Sequence, residues 1–391
     1  MAEYLTPGVY MEELDSGNKP MEGVGTSTAG FVGMAQKGPI EGPPQLVTSF
    51  ADFKRIYGGY LSANEYGDYH YLAYAVEQYF FNGGSRAYIM RVAPADGSND
   101  NALSMTAADF IGVDNGEGKR TGIQSFLDND VVSIISVPGV TDPNVQRALV
   151  AHCENLASRF AVLDVPREVK KVQDIIDHRN LFDSTYAALY HPWLVVFDPL
   201  EKRNIAIPPS GSMMGIYART DNTRGVHKAP ANEVVRGCIG LDVQFDKEEQ
   251  DILNPKCVNL IRTFPGVGIR VWGARTVSGD GIWKYINIRR LFIFIEESIK
   301  ANTNWVVFEP NDEVLWGRVQ RTIEVFLTNL WRGGALMGTS PDQAFFVNIG
   351  RNSMSQEDIN NGRLVCEIGV APVRPAEFVT FRITQKTGKV R

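Results

Sequence analysis

The stretch "DVVSIISVPGVTDPNVQRALVAHCENLASRFAVLDVP", residues 130–166, decides the fold class. A short, almost wholly apolar run opens it, and a second closes it at "RFAVLDVP". Between them lies a helical segment. Asp142 stands at its N-cap position and Pro143 at its first turn, where the missing N–H is no loss. Strands apolar on both faces belong to a parallel sheet covered by helices on both sides. The rhythm continues with "VQDIIDHRNLF" (172–182) as a helix and "AALYHPWLVVFDP" (187–199) as a third buried strand. Upstream, "TAGFVGMA" (28–35) and "RAYIMRV" (86–92) read as strands. The helix between them, in "DYHYLAYAVEQYFFNGG" (68–84), has Asp68 as its cap and Asn82-Gly83-Gly84 as its stop.

A second α/β unit follows a loop-rich region from 200 to 285. "INIRRLFIFIEESIKAN" (286–302) places Ile288, Leu291, Ile295 and Ile299 on one helical face. "NWVVFEP" (304–310) reads as a strand. "NDEVLWGRVQRTIEVFLTNLWRGG" (311–334) is a long helix with Leu315, Val319, Ile323, Phe326 and Leu330 inward. "AFFVNI" (344–349) is a strand, "SQEDINNG" (355–362) a short helix with a Ser355–Asp358 capping box, and "RLVCEIGVAPV" (363–373) a strand. Residues 95–125 are Gly-, Asp- and Asn-rich and read as a loop.

The bulk numbers bound the function. A chain of 391 residues is too long for one ordinary core, so two or three domains are expected. A net charge of −6 argues against a broad nucleic-acid-binding face. The four cysteines, Cys153, Cys238, Cys257 and Cys366, show no CxxC spacing, which points to a reduced folding compartment and away from a zinc site. No run reaches the ~18–20 apolar residues of a membrane span. The acidic first residues lack the apolar core of a signal peptide.

Catalytic motifs are missing. There is no GxxxxGK[ST], and "GVGIRVWG" (266–273) lacks the full dinucleotide fingerprint. "PPSGS", with Ser210 and Ser212, is not GxSxG. None of the five histidines has a paired metal spacing. His152 reads as packing plus one hydrogen bond. Asp221, Arg224, His227 and Asn232 read as pins for a long loop. No catalytic residue, metal or cofactor is expected.

Both ends of the chain look extended. Tyr4, Leu5, Val9, Tyr10 and Met11 favour a strand, as do Phe378, Val379, Phe381 and Ile383 in "AEFVTFRITQK" (376–386). A lone strand needs partners for its backbone groups. The residues themselves leave open whether these strands pair within the chain or augment the sheet of another molecule.

From end to end the chain resembles the contractile tail sheath proteins of phages, R-type bacteriocins and extracellular contractile injection systems. The resemblance is carried by "TPGVYMEE" (6–13), "TSTAGFVGMAQKGP" (26–39) and "AVEQYFFNGGSRAYIMRV" (75–92). It is densest in "SGSMMGIYARTDNTRGVHKAPANE" (210–233), "LNPKCVNLIRTFPGVGIRVWGART" (253–276) and "WKYINIRRL" (283–291), and ends in "WVVFEPND" (305–312) and "APVRPAEFVTFRITQ" (371–385). It implies a subtilisin-like parallel-sheet central domain without protease function, a C-terminal α/β domain facing an inner tube, and extended terminal arms. The implied layout is an arm and hinge at 1–25, an N-terminal and central domain at 26–262, a tube-facing domain at 263–376 and a second arm at 377–391. It also implies a homo-oligomer of stacked hexameric rings, with the inner tube, baseplate and terminator or cap proteins as partners. Neither nucleic acid nor membrane insertion is implied. Such particles assemble in the bacterial cytoplasm and leave by lysis. Glu357 and Asp358 are the candidate tube contacts. The competing classes are a degenerate α/β hydrolase and another tail or baseplate component.

Overall fold

The computed structural model describes residues 21–94 and 105–378. They form two compact units, one of residues 24–297 with 372–378 and one of residues 21–23 with 298–371. The units part within helix Ile286–Asn302, whereas residue 262 lies inside a strand of the larger one.

In the larger unit the strands are β1 (Ala29–Gly33), β2 (Gln45–Val47), β3 (Ala87–Arg91), β4 (Ile134–Ser136), β5 (Phe160–Asp164), β6 (Ala187–His191), β7 (Leu194–Asp198), β8 (Arg203–Ile207), β9 (Gly240–Leu241), β10 (Val258–Phe264) and β11 (Gly268–Val271). Eight of them form one sheet in the order β11-β10-β6-β5-β4-β1-β3-β2. From β10 to β3 every neighbouring pair is parallel, and β11 and β2 close the edges antiparallel. Every residue of β1, β4, β5 and β6 is buried, as strands covered on both faces must be. Alternate side chains enter different cores: Phe31, Ile134, Val162 and Tyr190 one, Val32, Ile135, Leu163 and Leu189 the other. Helix Pro143–Leu156 forms as its cap predicts, with the Asp142 carboxylate accepting from the Asn144 N–H at 2.7 Å.

Several expectations need correction. The segment 187–199 is two strands in two sheets. β6 stays in the large sheet, while β7 pairs antiparallel with β8 and β9 after Pro192, which offers no N–H to a ladder. The supposed loop from 200 contains helix Ser210–Arg224, buried at every position from Ser210 to Ala218. It lacks a polar face because it packs inside. A Cβ on Gly211 would stand 2.3 Å from the Ala75 carbonyl oxygen, and one on Gly215 would stand 2.5 Å from that of Tyr79. The glycines thus let it lie against helix Leu72–Phe81. That helix starts at Leu72, after a 3-10 turn at Gly67–Tyr69, so Asp68 is not its cap. Further on, "LNPKCVNLIRTFPGVGIRVWG" is the β10–β11 hairpin and not a loop. In 105–125, helix Ala107–Ile111 and the start of a 3-10 segment, Gly122–Asp128, interrupt the expected loop.

The smaller unit contains helix Glu313–Arg332, β12 (Phe345–Ile349) and β13 (Cys366–Val370). Leu315, Val319, Ile323 and Phe326 are buried as expected, while Leu330 is half-buried. "NWVVFEP" is not a strand: Asn304–Val306 make a 3-10 turn, and Phe308 follows fully exposed with φ of 71°. A positive φ breaks the pleat a ladder requires.

Candidate assembly interface

β12 and β13 form an antiparallel ribbon, with Phe345 opposite Val370, Val347 opposite Ile368 and Ile349 opposite Cys366. Among the described residues no third strand joins it. A two-stranded sheet is marginal alone, and this one rests on helix Glu313–Arg332. No residue of either strand is fully buried. On one face Phe346, exposed, lies over Gly369, where an added Cβ would meet its ring at 2.1 Å. Beside it the Asn348 amide donates to Glu367 at 3.3 Å. The opposite face carries Phe345, Val347, Ile349, Ile368 and Val370. The ribbon therefore offers a half-covered apolar face and strand edges with backbone groups to pair.

Of the residues expected in the arms, Tyr4, Leu5, Val9, Tyr10, Met11, Val379, Phe381 and Ile383 lie outside the described residues. Phe378 is the last described residue and is 76% exposed. Glu357 and Asp358 sit on helix Gln356–Asn360, and the Ser355–Asp358 capping box forms. Glu357 is exposed. The Asp358 carboxylate is already engaged by the Ser355 hydroxyl and N–H and by Arg363 at 3.6 Å. Those contacts, the Ser355 hydroxyl first, hold it below the usual carboxylate range.

Several titratable groups of the larger unit sit in buried hydrogen-bond networks. The Ser210 hydroxyl donates to Asp164 at 2.7 Å, and the Ser210 and Gly139 N–H groups donate to the same carboxylate. Both residues are buried, so this contact anchors a helix start to the end of β5. His152 is buried against Arg159 at 3.3 Å, as expected, and burial pushes its pKa down to about 3. The loop pins are not as expected: Asp221 and Arg224 lie in helix Ser210–Arg224, and His227 and Asn232 are held through their own backbone carbonyls. Asn287 donates to the His227 carbonyl and Arg270 to that of Asn232, and Asp221 pairs with Arg290 at 2.6 Å. Sequence reasoning missed Arg290, Arg275 and Glu377. An arginine inside the apolar "INIRRLFIFI" was the available signal for the first of them. Among the described residues no cluster of His, Cys, Asp and Glu could hold a metal, and no helix is long and apolar enough to cross a membrane.

Residues 122–277 match the family described as phage tail sheath protein central domain, and residues 278–386 match the phage tail sheath C-terminal domain. The chain belongs to the phage tail sheath family. This sheath-family chain is 24% identical to the tail sheath protein of Escherichia phage P2, over 97% of its own length and 96% of the relative's. Its fold superposes on the sheath of an extracellular contractile injection system, PVC, in the contracted state, with a TM-score of 0.77 and 29% identity, covering 99% of both chains. A chain of the anti-feeding prophage (AFP) baseplate gives a TM-score of 0.72 and 30% identity, covering 98% of this chain and all of the other. The family is a structural one.

Proposed function

We propose that this chain is the repeating subunit of a contractile sheath, stacked as hexameric rings around an inner tube and shortening to drive that tube through a target envelope. The observation that carries the proposal is the β12–β13 ribbon, which no third strand joins among the described residues, in a chain that aligns over 97% of its length with a tail sheath protein and over 99% with a sheath structure. In this reading residues 4–13 and 377–386 of neighbouring copies add to the ribbon as further strands. Such contacts are heterologous and do not close, which is the requirement for a helical tube. Backbone bonds worth a net ~0.5–1.5 kcal/mol each hold the copies together while their faces slide. The large sheet acts as a subtilisin-like scaffold without catalysis. Tube, baseplate and cap proteins are the partners, and assembly takes place in the bacterial cytoplasm. Electron microscopy of the purified protein tests the proposal: hollow, ridged cylinders are expected, and monomers under all assembly conditions would sink it.

Tube contact is assigned to helix Gln356–Asn360. Replacing Glu357 and Asp358 together by lysine is expected to give sheaths without tubes. Because the Asp358 side chain also accepts from the Ser355 N–H in the capping box, Asp358→Asn, which keeps an acceptor oxygen, serves as the control. Co-sedimentation of sheath and tube is the readout, and unchanged co-assembly of the double lysine variant would remove the assignment.

A further inference from the structure

The larger unit holds the chain at Thr26 and again at Glu377, close to where the expected arms begin, the first by a buried ionic cluster and the second by a half-buried one. Glu377 Oε1 accepts from Arg275 Nε at 2.8 Å and from the Asn254 amide at 2.9 Å. Its Oε2 accepts from Arg275 Nη2 at 2.7 Å and from the Tyr285 hydroxyl at 3.0 Å, with Lys284 at 3.6 Å. The Arg275 side chain is only 6% exposed, and its remaining nitrogen donates to the Asn254 carbonyl at 2.9 Å. Asn259 in β10 bonds both the N–H and the carbonyl of Arg275, so the clamp is tied to the large sheet. Residues 373–378 have no helix or strand of their own. Here one side chain does what a ladder would otherwise do.

At the other end Thr26 donates its hydroxyl to Asp221 at 2.6 Å, and its carbonyl accepts from Arg290 at 2.9 Å. The Arg290–Asp221 pair is almost fully buried, and the guanidinium lies 4.7 Å from the centre of the Tyr217 ring. The two clusters share a foundation. Arg275 and Tyr285 bridge to each other, and the Ile286 N–H donates to the Ala274 carbonyl, directly before the helix that carries Arg290.

We propose that Glu377 and the Asp221–Arg290 pair are positioning residues that fix the launch points of the two arms on one rigid stem, residues 274–290. This rests on the sheath reading for its purpose, not for its geometry. The C-terminal pivot is then at Phe378, directly after the clamp. On the N-terminal side Gly25, where an added Cβ would meet nothing within 4 Å, lies between the Thr26 hold and Glu22, whose N–H and carbonyl both bond the Asn302 side chain, so the arm starts upstream of Glu22. A neighbour that pulls on an arm pulls on the sheet through Arg275 or Arg290. Without the clamp it would first draw out slack chain.

Glu377→Ala is the test, with two readouts. In the unassembled subunit, limited thermolysin digestion followed by intact mass should stop short of the clamp in the wild type. In the variant it should cut within 373–378 about tenfold faster, as the loss of charge-assisted bonds implies, with digestion run well below the variant's own melting temperature, which the unpaired Arg275 guanidinium lowers. Unchanged cleavage there overturns the clamp, whatever the protein assembles into. By electron microscopy the variant should give irregular or non-contracting cylinders. Regular, contracting cylinders together with faster cleavage would overturn the positioning role. A wild type that forms no cylinders strikes at the sheath reading alone, since the digestion still reports on the clamp.

Discussion

A chain lacking residues 1–14 is expected to melt within a few degrees of the full-length protein and to form no ordered cylinders. The expectation follows from the proposed reading, in which this segment is a strand donated to a neighbour and not part of either unit's own core. On that reading, what goes is the donated strand. A segment of this length adds about four or five ladder bonds at ~0.5–1.5 kcal/mol each, besides burying Tyr4, Leu5, Val9 and Tyr10 against the half-covered ribbon. Since 1.4 kcal/mol is tenfold in an equilibrium constant, the loss weakens each contact by orders of magnitude, and a polymer multiplies the effect along its length. Scanning calorimetry and negative-stain microscopy on the same preparation check both halves. Intact cylinders from the truncated chain would refute the arm assignment.

Asp164→Ala is expected to destabilise the larger unit by about 3–5 kcal/mol, because it leaves the Ser210 N–H, the Ser210 hydroxyl and the Gly139 N–H buried without an acceptor. Asp164→Asn keeps one acceptor oxygen and should cost less. The same residue sets a pH dependence. Burial pushes its carboxyl from the ordinary 3.8 up to about 6, against the pull of the three donors. An acid whose pKa is raised by folding holds its proton more tightly in the folded chain. Its protonated form therefore favours folding most below about pH 4, and that contribution is lost as pH rises to about 6. Urea unfolding of wild type and Asp164→Asn from pH 4 to 7 should show their stability difference changing across that window and flat above it. A difference that does not vary with pH would remove Asp164 from this role.

Local chemistry made a large part of this architecture readable in advance. The all-apolar runs around Ile134, Val162 and Leu189 could only be strands covered on both faces, and the caps at Asp142 and Ser355 marked their helices without help from the rest of the chain. The misreadings share a cause. Helix Ser210–Arg224 is buried all round from Ser210 to Ala218, because Gly211 and Gly215 let it pack into the interior, so over those residues the pattern that identifies a surface helix is missing. The run 187–199 has a continuous apolar pattern but serves two sheets. "NWVVFEP" has strand residues, yet the chain turns there and Phe308 points to water.

The candidate interface divides in the same way. The sequence by itself determined that this chain is a parallel α/β protein that resembles the sheath family and carries no catalytic motif, because periodicity, caps and motif order are local properties of neighbouring residues. Only the tertiary structure decided that β12 and β13 pair as a ribbon, that Asp164 holds a helix start, and that Glu377 meets Arg275 while Asp221 meets Arg290. Those partners are 102 and 69 residues apart along the chain. Charge complementarity acts through space, and nothing in the spacing of a carboxylate records which distant arginine the fold will bring to it.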